Sequence, residues 1–479
     1  VASKAFSSNL KVSIMPGMRT LLLRPPPLRR LAGGFRVPPL GLLSLASSLL
    51  QHGHPVAFLD AAAEGLSWLQ TKDHVRRMRP DMLGIGVLTP VREVAYHAAR
   101  VLRPYVRHLV LGGPHVTACR AGVFDECPEA DYLVIGEGEQ AVVDLAQALD
   151  HARPVRIRGV LSRSWDGGPA ARMILDDLPS PAFHLLPLRA YHHPLAARLP
   201  MCTMVTSRGC PGRCTFCDQA VSGGRWRAHG VARVLSDLHR LEALGVRHVA
   251  FYDDNFVVDR DRVMHLCRGM IDEGIRLPWK CEARVDMVDR ELLRACARAG
   301  CRMMAFGVET AHQEGLDRLG KGTTVEQARD ALRWARQAGI ETLAYVLVGI
   351  PGESPAHVAR TLEFCLAEKV SVIQVSTLSV LPGTALWEEA RDRGWHTAGH
   401  LRGVFDDETV RTTIVPPGWT SETLARALAH AHRRAYLRPR FVLGSIARCR
   451  TLPQAAGLLR ETARGMPTLA REILLNRPR

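Results

Sequence analysis

The chain has 479 residues, 47% hydrophobic and 23% charged, and Lys plus Arg exceeds Asp plus Glu by 16. That length suits two or three domains of roughly 150 residues, and the apolar fraction excludes wholesale disorder. Only six of the basic residues are lysines, so the excess reads as an arginine-rich composition and not as a nucleic-acid footprint. No membrane span is predicted: the longest uncharged, mostly apolar run, Val37 to Leu50, has fourteen residues, short of the ~18 that a span needs. Pro38, Pro39 and Gly41 make that run a turn followed by a buried helix. Met18 reads as the start of the first domain, with residues 1–17 as a leader. The twelve cysteines, with no secretory signal recognisable, point to a reducing cytoplasm, where clustered cysteines mean metal or catalysis.

In chain order, residues 18–150 alternate short apolar strands with helices. The strands are predicted at Thr20–Leu23, Val56–Leu59, Met82–Val87, Leu109–Gly112 and Tyr132–Ile135, with helices such as Val91–Leu102 and Gln140–Leu149 between them. This pattern predicts a doubly wound parallel sheet. Gly112-Gly113-Pro114-His115 and Gly136-Glu137-Gly138-Glu139 follow two of the strands. They mark either a ligand face at the carboxyl edge or tight strand-to-helix turns. The proline-broken stretch 151–200 reads as a linker. From 201 to 395 six more strands alternate with helices: Thr203–Ser207, His248–Tyr252, Trp279–Ala283, Arg302–Val308, Thr342–Val348 and Val372–Leu378. Six such units predict a partial (β/α)6 barrel, whose chemistry sits at the carboxyl ends of the strands. Residues 396–479 are helical by pattern and carry a net +8.

The sharpest motif is Cys210-Pro-Gly-Arg-Cys214-Thr-Phe-Cys217, three thiols on a compact loop after the first barrel strand. Three thiolates at this spacing suit a four-iron cluster with one iron left open; zinc would need a fourth ligand, and neither Asp218 nor His229 has a familiar zinc-finger spacing. The motif resembles that of the radical S-adenosylmethionine (SAM) superfamily. The resemblance implies that Cys210, Cys214 and Cys217 hold a [4Fe–4S] cluster, that the open iron chelates SAM, and that Phe216 lies near the adenine. By the same resemblance, Asp253 or Asp254 accepts a hydrogen bond from the SAM amino group, unless one of them only caps a helix. Arg284 pairs with the SAM carboxylate or makes a structural salt bridge. Glu309 accepts from the ribose, and Gly349 stands near the adenine.

A Rossmann-like first domain before such a barrel resembles the cobalamin-binding class of this superfamily. Gly112, Gly113, His115, Gly136, Glu137 and Gly138 would then surround the corrin and its nucleotide tail. No DxHxxG motif is present, which implies cobalamin without a histidine from the protein on cobalt. The implied activity is C-methylation of a small-molecule natural product by way of methylcobalamin. The alternative is a non-methylating oxidative cyclisation or rearrangement of a porphyrin or lipid, as in the anaerobic Mg-protoporphyrin monomethyl ester cyclase. A tRNA methylthiotransferase is disfavoured because no second cysteine trio lies in the first domain. A non-catalytic cobalamin sensor would not need an open iron. The expected partners are a small-molecule substrate and a low-potential electron donor of flavodoxin or ferredoxin type, with no nucleic acid. The basic tail around Arg433–Phe441 is either a solvated face or a peripheral contact with anionic lipid, on a chain expected in the cytoplasm.

Overall fold

The computed structural model describes residues 17–28, 36–193, 195–397 and 414–438. They form two compact units. One runs to Tyr191 and takes in Asp218–Gly223; the other holds His192–Cys217 and the chain from Gly224 onward.

The first unit is built on β1 (Thr20–Arg24), β2 (Val56–Asp60), β3 (Met82–Gly86), β4 (His108–Gly112), β5 (Tyr132–Val134), β6 (Val160–Ser162) and β7 (Trp165–Asp166), in spatial order β2-β1-β3-β4-β5-β6-β7. The first five are parallel. Leu21, Leu23, Leu83, Ile85, Leu109, Leu111 and Leu133 are buried in one core, as expected where helices cover a parallel sheet. The chain steps outward from β1 to β2 and then returns to β3, so the direction switches between β1 and β3, the crevice where such sheets take ligands.

The stretch 151–200, read above as a linker, is not one throughout. The strands β6 and β7 add to β5 in antiparallel fashion, and Tyr191, fully buried, donates its hydroxyl to Asp60 at 2.9 Å. The rest of the described stretch is largely irregular and mostly exposed or half-buried. The helix Trp68–Met78 was also not read from the sequence. It buries only Thr71 and Val75, so it lacks a broad apolar stripe, and a Ser67/Gln70 capping box starts it.

In the second unit, β8 (Met201–Met204), β11 (His248–Phe251), β12 (Trp279–Ala283), β13 (Cys301–Glu309), β14 (Glu341–Val348) and β15 (Val372–Thr377) run parallel in chain order, with edges at β8 and β15. Between β8 and β11, β9 (Ser207–Arg208) and β10 (Arg227–Ala228) form a two-residue antiparallel ribbon. The helices Val231–Ala243, Arg260–Asp272, Arg290–Arg298, Val325–Gln337 and Pro355–Ala367 separate the barrel strands. The helix Ser421–Tyr436 packs on β15 and on Pro355–Ala367. Trp419 just before it donates to Ile350 O at 3.0 Å. The described part of the last region is thus part of the barrel's packing. The remainder of the basic tail, from Pro439, lies outside the described residues, as does nearly all of the 1–17 segment. Among the described residues no helix is long and apolar enough to cross a membrane.

Candidate active site

The cysteine loop grows from the β9–β10 ribbon, and its base is fastened from several directions. Gly209 opens it at φ +86°, and a Cβ there would stand 2.5 Å from Arg225 O, so only glycine fits. Asp254 Oδ2 accepts from Gly209 N at 2.7 Å. Asp253, 1% exposed, accepts from Thr206 N at 3.0 Å, Thr206 Oγ1 at 2.9 Å and Ser207 Oγ at 2.6 Å. Desolvation pushes its carboxyl up, and these bonds pull it back. Arg262 donates to Thr206 O and His229 O. Further along, Thr215 N donates to Leu319 O and Leu386 N to Thr215 O, both at 2.9 Å.

Neither aspartate caps a helix; Asp259 caps the next one. Asp253 is sealed in the loop's foundation, which removes it from the pair of expected SAM contacts. Asp254 is exposed and, among the described residues, uses one oxygen for Gly209.

Cys210 is buried, Cys214 half-buried and Cys217 exposed. Gly212 N points at Cys210 Sγ from 3.4 Å, and a Cβ on Gly212 would crowd both that sulfur and Arg284. Desolvation pushes Cys217 up to about 12, with the charges of Cys214, Asp254 and Cys210 adding to it. Such a thiol releases its proton to metal, not to water at neutral pH. Two cations answer the sulfur charge: Arg284 Nη1 lies 3.7 Å from Cys214 Sγ, and Lys321 is raised by its interaction with Glu309 and Cys214 against the cost of burial. Among the described residues no three His, Cys, Asp or Glu side chains converge tightly enough for a single metal ion. Three thiolates on one loop are the donor set that a four-iron cube takes, one on each of three irons.

The other expected SAM contacts are already engaged. Arg284 forks onto Asp286 at 2.9 and 3.0 Å and donates to Lys321 O at 2.7 Å, which is the structural salt bridge that the sequence left open. Glu309 accepts from Lys321 Nζ at 2.6 Å. It sits at φ +62° beside a register shift between Gly307 and Glu309. Gly349 has φ +96°, and a Cβ there would stand 2.8 Å from Leu424, so the glycine makes room for the last helix. Phe216 packs against the cluster of Leu319, Ile350, Leu378 and Leu386. Sequence reasoning missed Lys321 and Asp286. The available signal was Lys321's place between Gly320 and Gly322 in a chain with six lysines.

In the first unit, Gly112 ends β4 and Gly113 follows at φ +107°, where a Cβ would approach Val87 O to 3.0 Å. Gly136 (φ +84°) donates its N–H to Thr117 Oγ1 at 3.0 Å. Glu137 is buried, and Gly138 precedes the helix Glu139–Asp150, leaving space for Leu45 and Val134. These loops share the carboxyl edge of the sheet. His115 is fully buried: Nδ1 faces Thr89 Oγ1 at 3.1 Å, and Nε2, without a hydrogen-bond partner among the described residues, lies 3.8 Å from Glu126. Leu88 and Val91, which sequence reasoning passed over, are exposed just after β3, beside the switch point. Close backbone turns next to exposed apolar side chains fit a broad, flat, partly apolar ligand.

Known families agree with this division. A Radical SAM superfamily model matches residues 204–365, and a B12 binding domain model matches residues 30–146. An uncharacterized methyltransferase, PH0819 of Pyrococcus horikoshii, is 31% identical over 447 residues, 90% of this chain and 95% of that protein. The anaerobic magnesium-protoporphyrin IX monomethyl ester cyclase of Cereibacter sphaeroides is 29% identical over 84% of this chain and 67% of the cyclase. The solved structure of the radical SAM methyltransferase TsrM from Kitasatospora setae, with cobalamin and a [4Fe-4S] cluster bound, superimposes with a TM-score of 0.71 at 19% identity, covering 87% of this chain and 89% of that one, and so shares the fold. The chain belongs to the cobalamin-binding radical SAM enzymes, whose cofactors are an iron–sulfur cluster, SAM and cobalamin.

Proposed function

We propose that this enzyme methylates a carbon of a small-molecule natural product, using a [4Fe–4S] cluster on Cys210, Cys214 and Cys217. The observation that carries the reading is the fastened three-thiol loop, with Arg284 and Lys321 beside Cys214, in a chain alike over 90% of its length to a protein named a methyltransferase. When bound, the cluster and SAM supply a carbon radical and cobalamin supplies the methyl group. The chain's own part is placement and charge. Arg284 and Lys321 offset the negative charge of the thiolates, and the oxygen of Asp254 not used by Gly209 accepts from the SAM amino group. Glu309, oriented by Lys321, is the carboxylate for the ribose. Gly112, Gly113, Gly136, Glu137 and Gly138, with Leu88 and Val91, form the cobalamin face of residues 18–150, and no histidine contributes to cobalt. A low-potential flavodoxin or ferredoxin supplies the electron, the protein works in the cytoplasm, and the basic tail is either a solvated face or a peripheral contact with anionic lipid.

Oxidative cyclisation is the second reading, supported by the likeness to the cyclase. Anaerobic protein is reconstituted with iron, sulfide and hydroxocobalamin, then given SAM labelled in its methyl group and a low-potential reductant. Label appearing on retained corrin supports methylation. Retained corrin without label, with 5′-deoxyadenosine released, supports cyclisation. Absence of retained corrin overturns both readings.

A further inference from the structure

Side chains alternate along β12. Trp279 is on the outer face, where its indole donates at 2.9 Å to Ala299 O, at the end of the helix Arg290–Arg298. Lys280 and Glu282 therefore share the inner face, in register with Met303 and Ala305 of β13. On that face Tyr345 donates its hydroxyl to Glu282 Oε1 at 2.9 Å. The bond reaches across β13, where Ala305 and Gly307 are too small to block it.

The inner face is layered. Met303, Leu343 and Val372 form an apolar floor, with Leu195 packed against it. Further along the strands the lining turns polar: Glu282, Tyr345 and, in register beside Tyr345 on β15, Gln374. Glu282 and Tyr345 are half-buried and Gln374 is exposed, so this level is open to solvent. Glu282 Oε2 and the Gln374 side-chain amide make no hydrogen bond among the described residues. The Lys321–Glu309 pair adjoins this level, because it stands over Gly307, which is in register with Tyr345.

The charge of Glu282 has an answer on the same face. Lys280, two residues before it, is 5% exposed, and its ammonium stands 4.7 Å from the centre of the Tyr252 ring. Burial pushes the Glu282 carboxyl up, and the Lys280 charge and the Tyr345 bond pull it back. The two charges offset one another, so a ligand ion of either sign gains little here. An uncharged donor still gains the charge-assisted bond to Oε2.

We propose that Glu282, held in place by Tyr345, accepts a hydrogen bond from an uncharged hydroxyl group of the substrate, which is thus an alcohol and not an acid or an amine. Glu282 makes the contact, and Tyr345 is a positioning residue that acts through it. The inference rests on the proposed function in calling this ligand the substrate. The hydroxyl is then held beside the Lys321–Glu309 pair, next to the carboxylate assigned to the ribose.

The test measures binding to the full chain by calorimetry, with 1-hexanol, hexanoate and hexylammonium as probes. 1-Hexanol is expected to bind more tightly than either ion. Glu282→Leu should weaken it about tenfold or more, as for a lost bond to a charged group. Glu282→Gln keeps the size of the side chain and an acceptor for Tyr345; it should weaken 1-hexanol about threefold or more, and it decides the matter if Glu282→Leu does not fold. Tyr345→Phe should also weaken 1-hexanol, but adding it to Glu282→Leu should cost nothing further. Absence of 1-hexanol binding, tighter binding of either ion, or undiminished binding in Glu282→Gln would each overturn the contact. Losses that multiply in the double variant would overturn the positioning role of Tyr345. Cluster assembly and SAM cleavage are scored on the wild type in parallel. Their failure overturns the proposed function and leaves the alcohol measurement standing; loss of the alcohol preference with both intact removes this contact alone.

Discussion

Lys321 Nζ lies 2.6 Å from Glu309 Oε1, with both side chains 7% exposed. The pair ties the loop after the helix Gln313–Arg318 to the carboxyl end of β13, and it sits over Gly307, where any Cβ would strike both partners. It also explains how Glu309 is held at a positive φ, a conformation that costs about 1–3 kcal/mol unless its surroundings enforce it.

Removing one partner leaves the other charged and buried. Lys321→Met should therefore destabilise the chain by about 3–5 kcal/mol in urea unfolding. Adding Glu309→Gln should recover part of the loss. A double variant as weak as the sum of the two single ones would show that the pair is not coupled.

The two adjacent aspartates should separate in their effects. Asp253→Asn replaces the acceptor of three close donors and should lower stability by about 2–3 kcal/mol. Asp254→Ala frees only Gly209 N, so it should leave the melting temperature near that of the wild type while reducing bound iron. Equal stability losses in the two variants would contradict the difference in burial.

The triple variant Cys210→Ala, Cys214→Ala, Cys217→Ala should lose the visible absorption of a thiolate-bound cluster. Cys267→Ala and Cys296→Ala should keep it, because those two thiols lie in the core, 3.9 Å from each other. A cluster retained by the triple variant would disprove the assignment.

Glu353 supplies a pH test. Burial pushes its carboxyl up to about 7, with Thr310 pulling it back through a 2.6 Å bond. Between its unfolded value of 4.5 and about 7, the folded chain holds a proton that the unfolded chain has released. Stability should fall as pH rises across that window, by about 3 kcal/mol in all. Glu353→Gln should remove this slope, so the variant gains on the wild type between pH ~5 and ~8. Parallel melting curves for the two proteins across the window would refute it.

The parallel strands of both units were legible because each is a short apolar run bounded by turn residues, as in Leu109–Gly112 and Thr342–Val348. The three-thiol loop was legible because its chemistry is compressed into eight residues. What local pattern could not give is pairing at a distance. Asp253 reaches back 47 residues to Thr206, and Arg284 reaches forward 37 to Lys321 O; in each case the residue type was noticed and its partner was not. Lys280 went unremarked for a related reason, since a lone lysine inside an apolar strand gains meaning only when the register shows which face it occupies.

Several fastenings of the cysteine loop use no cysteine sulfur: Gly209 on Asp254, Thr206 and Ser207 on Asp253, and Thr215 between Leu319 and Leu386. A loop fastened in this way should hold its backbone without help from iron–thiolate bonds, so protein stripped of iron by a chelator should keep the circular dichroism spectrum of the loaded protein.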